Sequence, residues 1–151
     1  MTIKLTSEVF NEGETIPDRY ACRGVNVSPP LEWENVEGTI KYVIICEDPD
    51  ASSVAWTHWI LFNIPRDTTR LSEWIMEREE IDDGTKQGFN DFGTIGYRGP
   101  CPPGGTHRYY FKVYALDTVI QLPAKINKED LLKAMKGHIL DEGHLMGRYT
   151  R

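Results

Sequence analysis

Residues 99–117 read GPCPPGGTHRYYFKVYALD. Three prolines and three glycines run into an aromatic-rich segment that opens at His107. Proline fixes φ, and glycine lets backbone approach where a Cβ would clash. The stretch therefore predicts a rigid loop feeding a β-strand over His107–Leu116, with a histidine at the strand's entrance. Along that strand the alternation of faces puts His107, Tyr109, Phe111 and Val113 on one side.

Two further strands are legible. Ile40–Glu47, IKYVIICE, is nearly all apolar and β-branched, as expected of a strand covered on both faces. Trp56–Ile64, WTHWILFNI, ends at Pro65, and strict alternation places Trp56, His58, Ile60 and Phe62 together. Shorter strands are expected at Lys4–Ser7, near Tyr20, at Leu31–Trp33 and around His144–Tyr149. One helix is predicted, capped by Asn127, with Glu129 and Asp130 in its first turn. Leu131, Met135 and Ile139 would form its apolar face, and Gly143 its stop. A second short helix is expected over Leu71–Glu80. Residues 82–106 form a long Gly/Pro-rich stretch. Phe89, Phe92, Ile95 and Tyr97 give it apolar weight, so it is expected to pack down on the sheet.

The chain has 151 residues and a formal net charge of −6. With no repeat and no linker, residues 1–151 read as one domain. The acidic balance and the lack of a basic run argue against nucleic-acid binding. The N-terminus has no apolar signal segment, and no stretch approaches a membrane span. A cytoplasmic protein is the expectation. Cys22, Cys46 and Cys101 agree with it: an odd number, widely spaced and without CxxC, they read as three reduced thiols.

Asp48 and Asp50 flank Pro49 where the first long strand ends. Each can serve simply as a turn cap. If the strands carrying His58 and His107 are neighbours, the two imidazoles and Tyr109 would line one pocket. His138 and His144 have no evident chemical role, and the tryptophans at 33, 56, 59 and 74 read as core or interface anchors.

Together, DPDA at 48–51, THWILFNIP at 57–65, GPCPPGGTHRYYFKVYALD and the C-terminal GHLMGRYTR resemble the phosphatidylethanolamine-binding protein family over essentially the full chain. They are most similar to its bacterial and archaeal, kinase-inhibitor-like branch. The resemblance implies a mainly β fold of two packed antiparallel sheets, a β-sandwich with a few peripheral short helices. It also implies a small anion pocket for phosphate or phosphorylated headgroup-like ligands. Carried onto this sequence, the pocket uses Asp48, His58, Gly99, Pro100, His107 and Tyr109, with Asp50, Arg108 and Cys101 supporting it. No cofactor and no metal are expected. A protein partner such as a kinase and a homodimer are the further partners that the resemblance suggests.

Two departures from the family pattern stand out. Position 52 is serine where the family often has proline, so the loop from Ala51 to Trp56 is expected to be looser. The chain also ends at Arg151, without the longer C-terminal helix of animal members.

Gly99, Gly104 and Gly105 would offer backbone N–H groups to an anion, while the prolines restrict the loop. Asp48 beside an anion needs a reason. It can orient an imidazole and stabilise its protonated form, or accept an ammonium group carried by the ligand. An enzyme is the competing reading, with Cys101 and His107 as nucleophile and base, or Asp48, His58 and His107 around a metal. A purely structural or protein-interaction role, with an unused pocket, is the third.

Overall fold

In a computed structural model, residues 2–151 are described. The strands are β1 (Leu5–Thr6), β2 (Leu31–Trp33), β3 (Lys41–Asp48), β4 (Trp56–Pro65), β5 (Arg70–Leu71), β6 (Lys86–Gln87), β7 (Thr106–Leu116) and β8 (Ile139–Thr150), with one helix, α1 (Lys128–Met135). They form two antiparallel sheets, ordered β1-β2-β5 and β6-β4-β3-β7-β8. The expected mainly β architecture is what the chain adopts. No helix among the described residues is long and apolar enough to cross a membrane.

β3 lies at the centre of the large sheet and is buried on both faces, as its apolar run requires. Tyr42, Ile44 and Cys46 join the core beneath the small sheet, with Trp33, Trp59 and Phe111. Val43 and Ile45 join a second core with Ile60, Phe62, Leu131 and Met135, beneath α1. The helix is capped as predicted: Asn127 Oδ1 accepts from the Asp130 N–H at 2.9 Å.

Four expectations are corrected. The helix ends at Met135, because Gly137 takes a left-handed φ of +84° and turns the chain into β8. Ile139 is therefore the first residue of a strand, not the last of a helical face. Gly143 sits inside that strand and lets the N-terminal segment lie against it, since a Cβ there would collide with the Ile3 carbonyl. Residues 71–80 form no helix; Trp74 has φ +68°, and the backbone N–H groups of Trp74 and Ile75 donate to Ser28 instead of to a preceding helical turn. The chain near Tyr20 is a 3-10 turn, Asp18–Tyr20, entered from Pro17, and not a strand.

The fourth correction concerns the cysteines. Cys22 and Cys101 are joined in a disulfide, and only Cys46 is free. The segment around Cys22 is held against the 97–101 loop by three hydrogen bonds. Tyr97 Oη donates to the Tyr20 carbonyl at 2.7 Å, Gly99 N–H to Asn26 Oδ1 at 2.8 Å and Cys22 N–H to the Pro100 carbonyl at 3.0 Å. That fold-back brings the two Cα atoms to 5.4 Å across 79 residues of sequence, a proximity that spacing alone does not reveal. Cysteine usage therefore no longer argues for a reducing compartment.

Both margins of the large sheet are flanked by other backbone. Ile3, Gly13 and Ile16 donate to Glu142, Met146 and Arg148 of β8, and Arg148 donates back to Glu14. On the opposite margin, Gln87 of β6 donates to Glu79 and accepts from Lys125.

Candidate functional site

The site forms where β3 ends, β4 begins and β7 enters the sheet. β3 pairs with both β4 and β7, so the adjacency that the sequence left open is mediated by β3. Alternation along β4 is broken by a bulge. Thr57 pairs with Glu47 and Trp59 with Cys46, leaving His58 as the extra residue. His58 accordingly leaves the face of Ile60 and Phe62, where strict alternation put it, and meets Tyr109 edge-on at 5.2 Å between ring centroids.

Asp48 is buried, its side chain 3% exposed, and both its carboxylate oxygens are used. Oδ1 accepts from the Asp50 N–H at 2.8 Å, and Oδ2 meets His107 Nδ1 at 2.6 Å. A carboxylate acceptor fixes the proton on Nδ1 and leaves Nε2 as the free ring nitrogen. His58 Nδ1 lies 2.5 Å from the Arg98 carbonyl, so it too carries its proton on Nδ1. Burial pushes the His58 pKa down, against the upward pull of that carbonyl and of the Asp48 charge. A neutral His58 thus offers an Nε2 lone pair. Burial, with the Asp48 charge adding to it, raises the Tyr109 pKa far above the ordinary phenol range, so the hydroxyl keeps its proton.

Asp50 supports the entrance from one side. Arg108 holds it through Nε and Nη2 at 3.0 and 2.8 Å, and the Arg108 N–H donates to Oδ2 at 2.9 Å. The hydrogen bonds from Arg108 pull the Asp50 pKa down to about 2.

Asp48, His58, His107 and Tyr109 share a cavity of about 230 Å³, which Cys101 also lines. Gly99 and Pro100 stand behind its wall. The Gly99 N–H is taken by Asn26, a Cβ at Gly99 would collide with the Tyr20 carbonyl, and the Pro100 carbonyl is taken by Cys22. Gly104 and Gly105 border a neighbouring cleft instead. Sequence reasoning missed the apolar wall of Trp56, Phe92, Pro102 and Pro103. Trp56 was signalled by its place two residues before His58. Phe92 carried no positional signal, because it comes from the irregular 82–106 loop and reaches Trp56 and His58 edge-on. Ser52 closes its own turn, accepting from the Val54 N–H and donating to the Val54 carbonyl.

The enzyme reading loses its nucleophile, because Cys101 is a disulfide sulfur. Among the described residues no three His, Cys, Asp or Glu side chains converge as metal ligands. A larger concavity of about 650 Å³ lies over the opposite face of β7, lined by Tyr110, Lys112, Tyr114 and His144. Its Glu47 is already shared between Lys112 and Lys128, both at 3.3 Å.

Two stacked antiparallel sheets with a small pocket at the ends of the central strands define a β-sandwich class. The chain belongs to the phosphatidylethanolamine-binding protein family, whose model matches residues 6–150. It is 53% identical over 150 residues to a UPF0098 protein of Methanothermobacter thermautotrophicus, covering 99% of each chain. A solved structure of a putative phosphatidylethanolamine-binding protein homolog from Chlamydia trachomatis matches with a TM-score of 0.90 and 42% identity, over 99% of this chain and 98% of that one. Escherichia coli YbcL matches with a TM-score of 0.92 and 31% identity, over 100% and 99%. The carboxypeptidase Y inhibitor, solved with its proteinase, shares the fold alone, at a TM-score of 0.51 and 17% identity over 92% of this chain and 76% of that one.

Proposed function

We propose that the protein is a binding module for a small phosphorylated ligand, held in the pocket of Asp48, His58, His107 and Tyr109. Family membership supports small-ligand binding in general. The observation that carries the finer reading is the 2.6 Å contact between Asp48 and His107. It orients the His107 ring and turns its Nε2 away from Asp48, so that Nε2 donates to a ligand oxygen when the ring is an imidazolium, while the neutral His58 is an oriented acceptor. A phosphomonoester monoanion matches this pattern with His107 as the imidazolium paired to Asp48: oxygens for His107 Nε2–H and the Tyr109 hydroxyl, and one P–OH for His58 Nε2. Gly99 and Pro100 act as the frame of the wall. The cavity is below the ~300–1,000 Å³ of drug-sized sites, which suits a headgroup-sized ligand.

The test is an NMR titration of the His58 and His107 ring signals with inorganic phosphate, phosphoethanolamine and a nucleoside monophosphate. Both rings shifting together and saturating is the expected result. Rings that respond separately, or to none of the three, would overturn the reading in favour of an interaction protein whose pocket is unused.

A further inference from the structure

We propose that the ligand carries a second anionic group, which sits in the cleft next to the pocket, on Arg148 and the backbone N–H groups of Gly104 and Gly105. The inference rests on the phosphate-binding reading of the pocket and extends it to a ligand class: a phosphomonoester with a further phosphate or carboxylate on a short spacer.

The cleft measures about 490 Å³ and shares His107 with the pocket, so one short molecule can occupy both. Four observations point to an anion there. Arg148 is exposed, in no ion pair among the described residues, and lines the cleft, where the other arginine, Arg108, is committed to Asp50. Its backbone is fixed in β8 by bonds to Glu14 and Ile16, which presents the side chain from a rigid strand. Among the described residues the N–H groups of Gly104 and Gly105 donate to no protein acceptor, and the space beside both residues is open. The one carboxylate on the cleft, Asp50, is already neutralised by the paired contacts of Arg108. In a chain of net charge −6, an unpaired guanidinium beside two free backbone donors is a local positive site. A planar guanidinium with adjacent N–H groups suits phosphate or carboxylate oxygens.

The experiment measures calorimetric binding of glycerol 3-phosphate and 2,3-bisphosphoglycerate to the wild type, Arg148→Ala and Arg66→Ala. Arg66 is exposed, in no ion pair among the described residues and lies in the turn after β4, so its loss controls for net charge. In the wild type the bisphosphate should bind about tenfold tighter than the monophosphate. Arg148→Ala should remove that advantage and leave glycerol 3-phosphate unchanged, and Arg66→Ala should preserve it. If both ligands bind equally to the wild type, or if Arg148→Ala and Arg66→Ala weaken the bisphosphate alike, the second subsite is overturned while the pocket stands. If glycerol 3-phosphate does not bind the wild type at all, the pocket reading fails and the two-anion ligand falls with it.

Discussion

Replacing both Cys22 and Cys101 by serine tests the link between fold and site most directly. The disulfide closes 79 residues of chain. Treated as loop closure in the unfolded ensemble, with an entropy of about −2.1 − 1.5R ln n cal/mol/K, it contributes ~4.5 kcal/mol at 25 °C. Both cysteines are exposed, so the serine hydroxyls meet water and add little cost of their own. The expected loss is therefore about 4–5 kcal/mol in urea unfolding, with a larger m-value because the uncrosslinked chain exposes more surface. A thiol assay of the denatured, unreduced wild type should count one reactive cysteine, the buried Cys46. Three reactive thiols, or a loss below about 1 kcal/mol with an unchanged m-value, would refute the reasoning. The three hydrogen bonds from Tyr97, Gly99 and Cys22 remain in the variant, so the pocket wall should persist and phosphate binding should fall far less than stability.

Asp48→Asn should change how phosphate binding varies between pH 5 and 8, because the buried partner of His107 loses its charge; superimposable curves for wild type and variant would sink the proposed role of Asp48. His58 has a folded pKa below its ordinary 6.5 because of burial. Below about pH 6.5 the unfolded chain takes up a proton that the folded chain refuses, so stability falls as the pH drops toward the folded value. In phosphate-free buffer the wild type should therefore lose more stability than His58→Gln between pH 7.5 and 5, and parallel curves would argue against a buried neutral ring. Gly143→Ala should cost about 1–3 kcal/mol and speed amide exchange near Ile3, since the added carbon meets backbone that cannot rotate away; an unchanged Tm would contradict that close approach.

The three long strands were readable because composition and length separate them from helix. IKYVIICE is too short and too β-branched for anything but a covered strand, and it occupies the centre of the sheet. The weak points lie where a single residue changes the periodicity. Alternation along WTHWILFNI predicted the wrong face for His58, because nothing in the sequence marks the extra residue at the bulge. Leu131, Met135 and Ile139 share helical spacing, yet one left-handed glycine at 137 separates the last from the others. The pairing of Cys22 with Cys101 depends on a tertiary fold-back and leaves no trace in spacing. Asp48, His58, His107 and Tyr109 were singled out through motif resemblance and do share one cavity. The wall from Phe92 comes from a loop whose path only the packed structure defines.

The flanked margins of the large sheet limit how molecules of this protein can meet. An open strand edge is a template for pairing with another chain. Here the N-terminal segment occupies one side of β8, and residues 79 and 125 occupy the two-residue β6. Strand addition would first have to peel away hydrogen-bonded backbone. At these two margins a second copy would meet covered backbone, so extension of the large sheet into a continuous intermolecular β-sheet, the usual route from strand-rich chains to fibres, is blocked there.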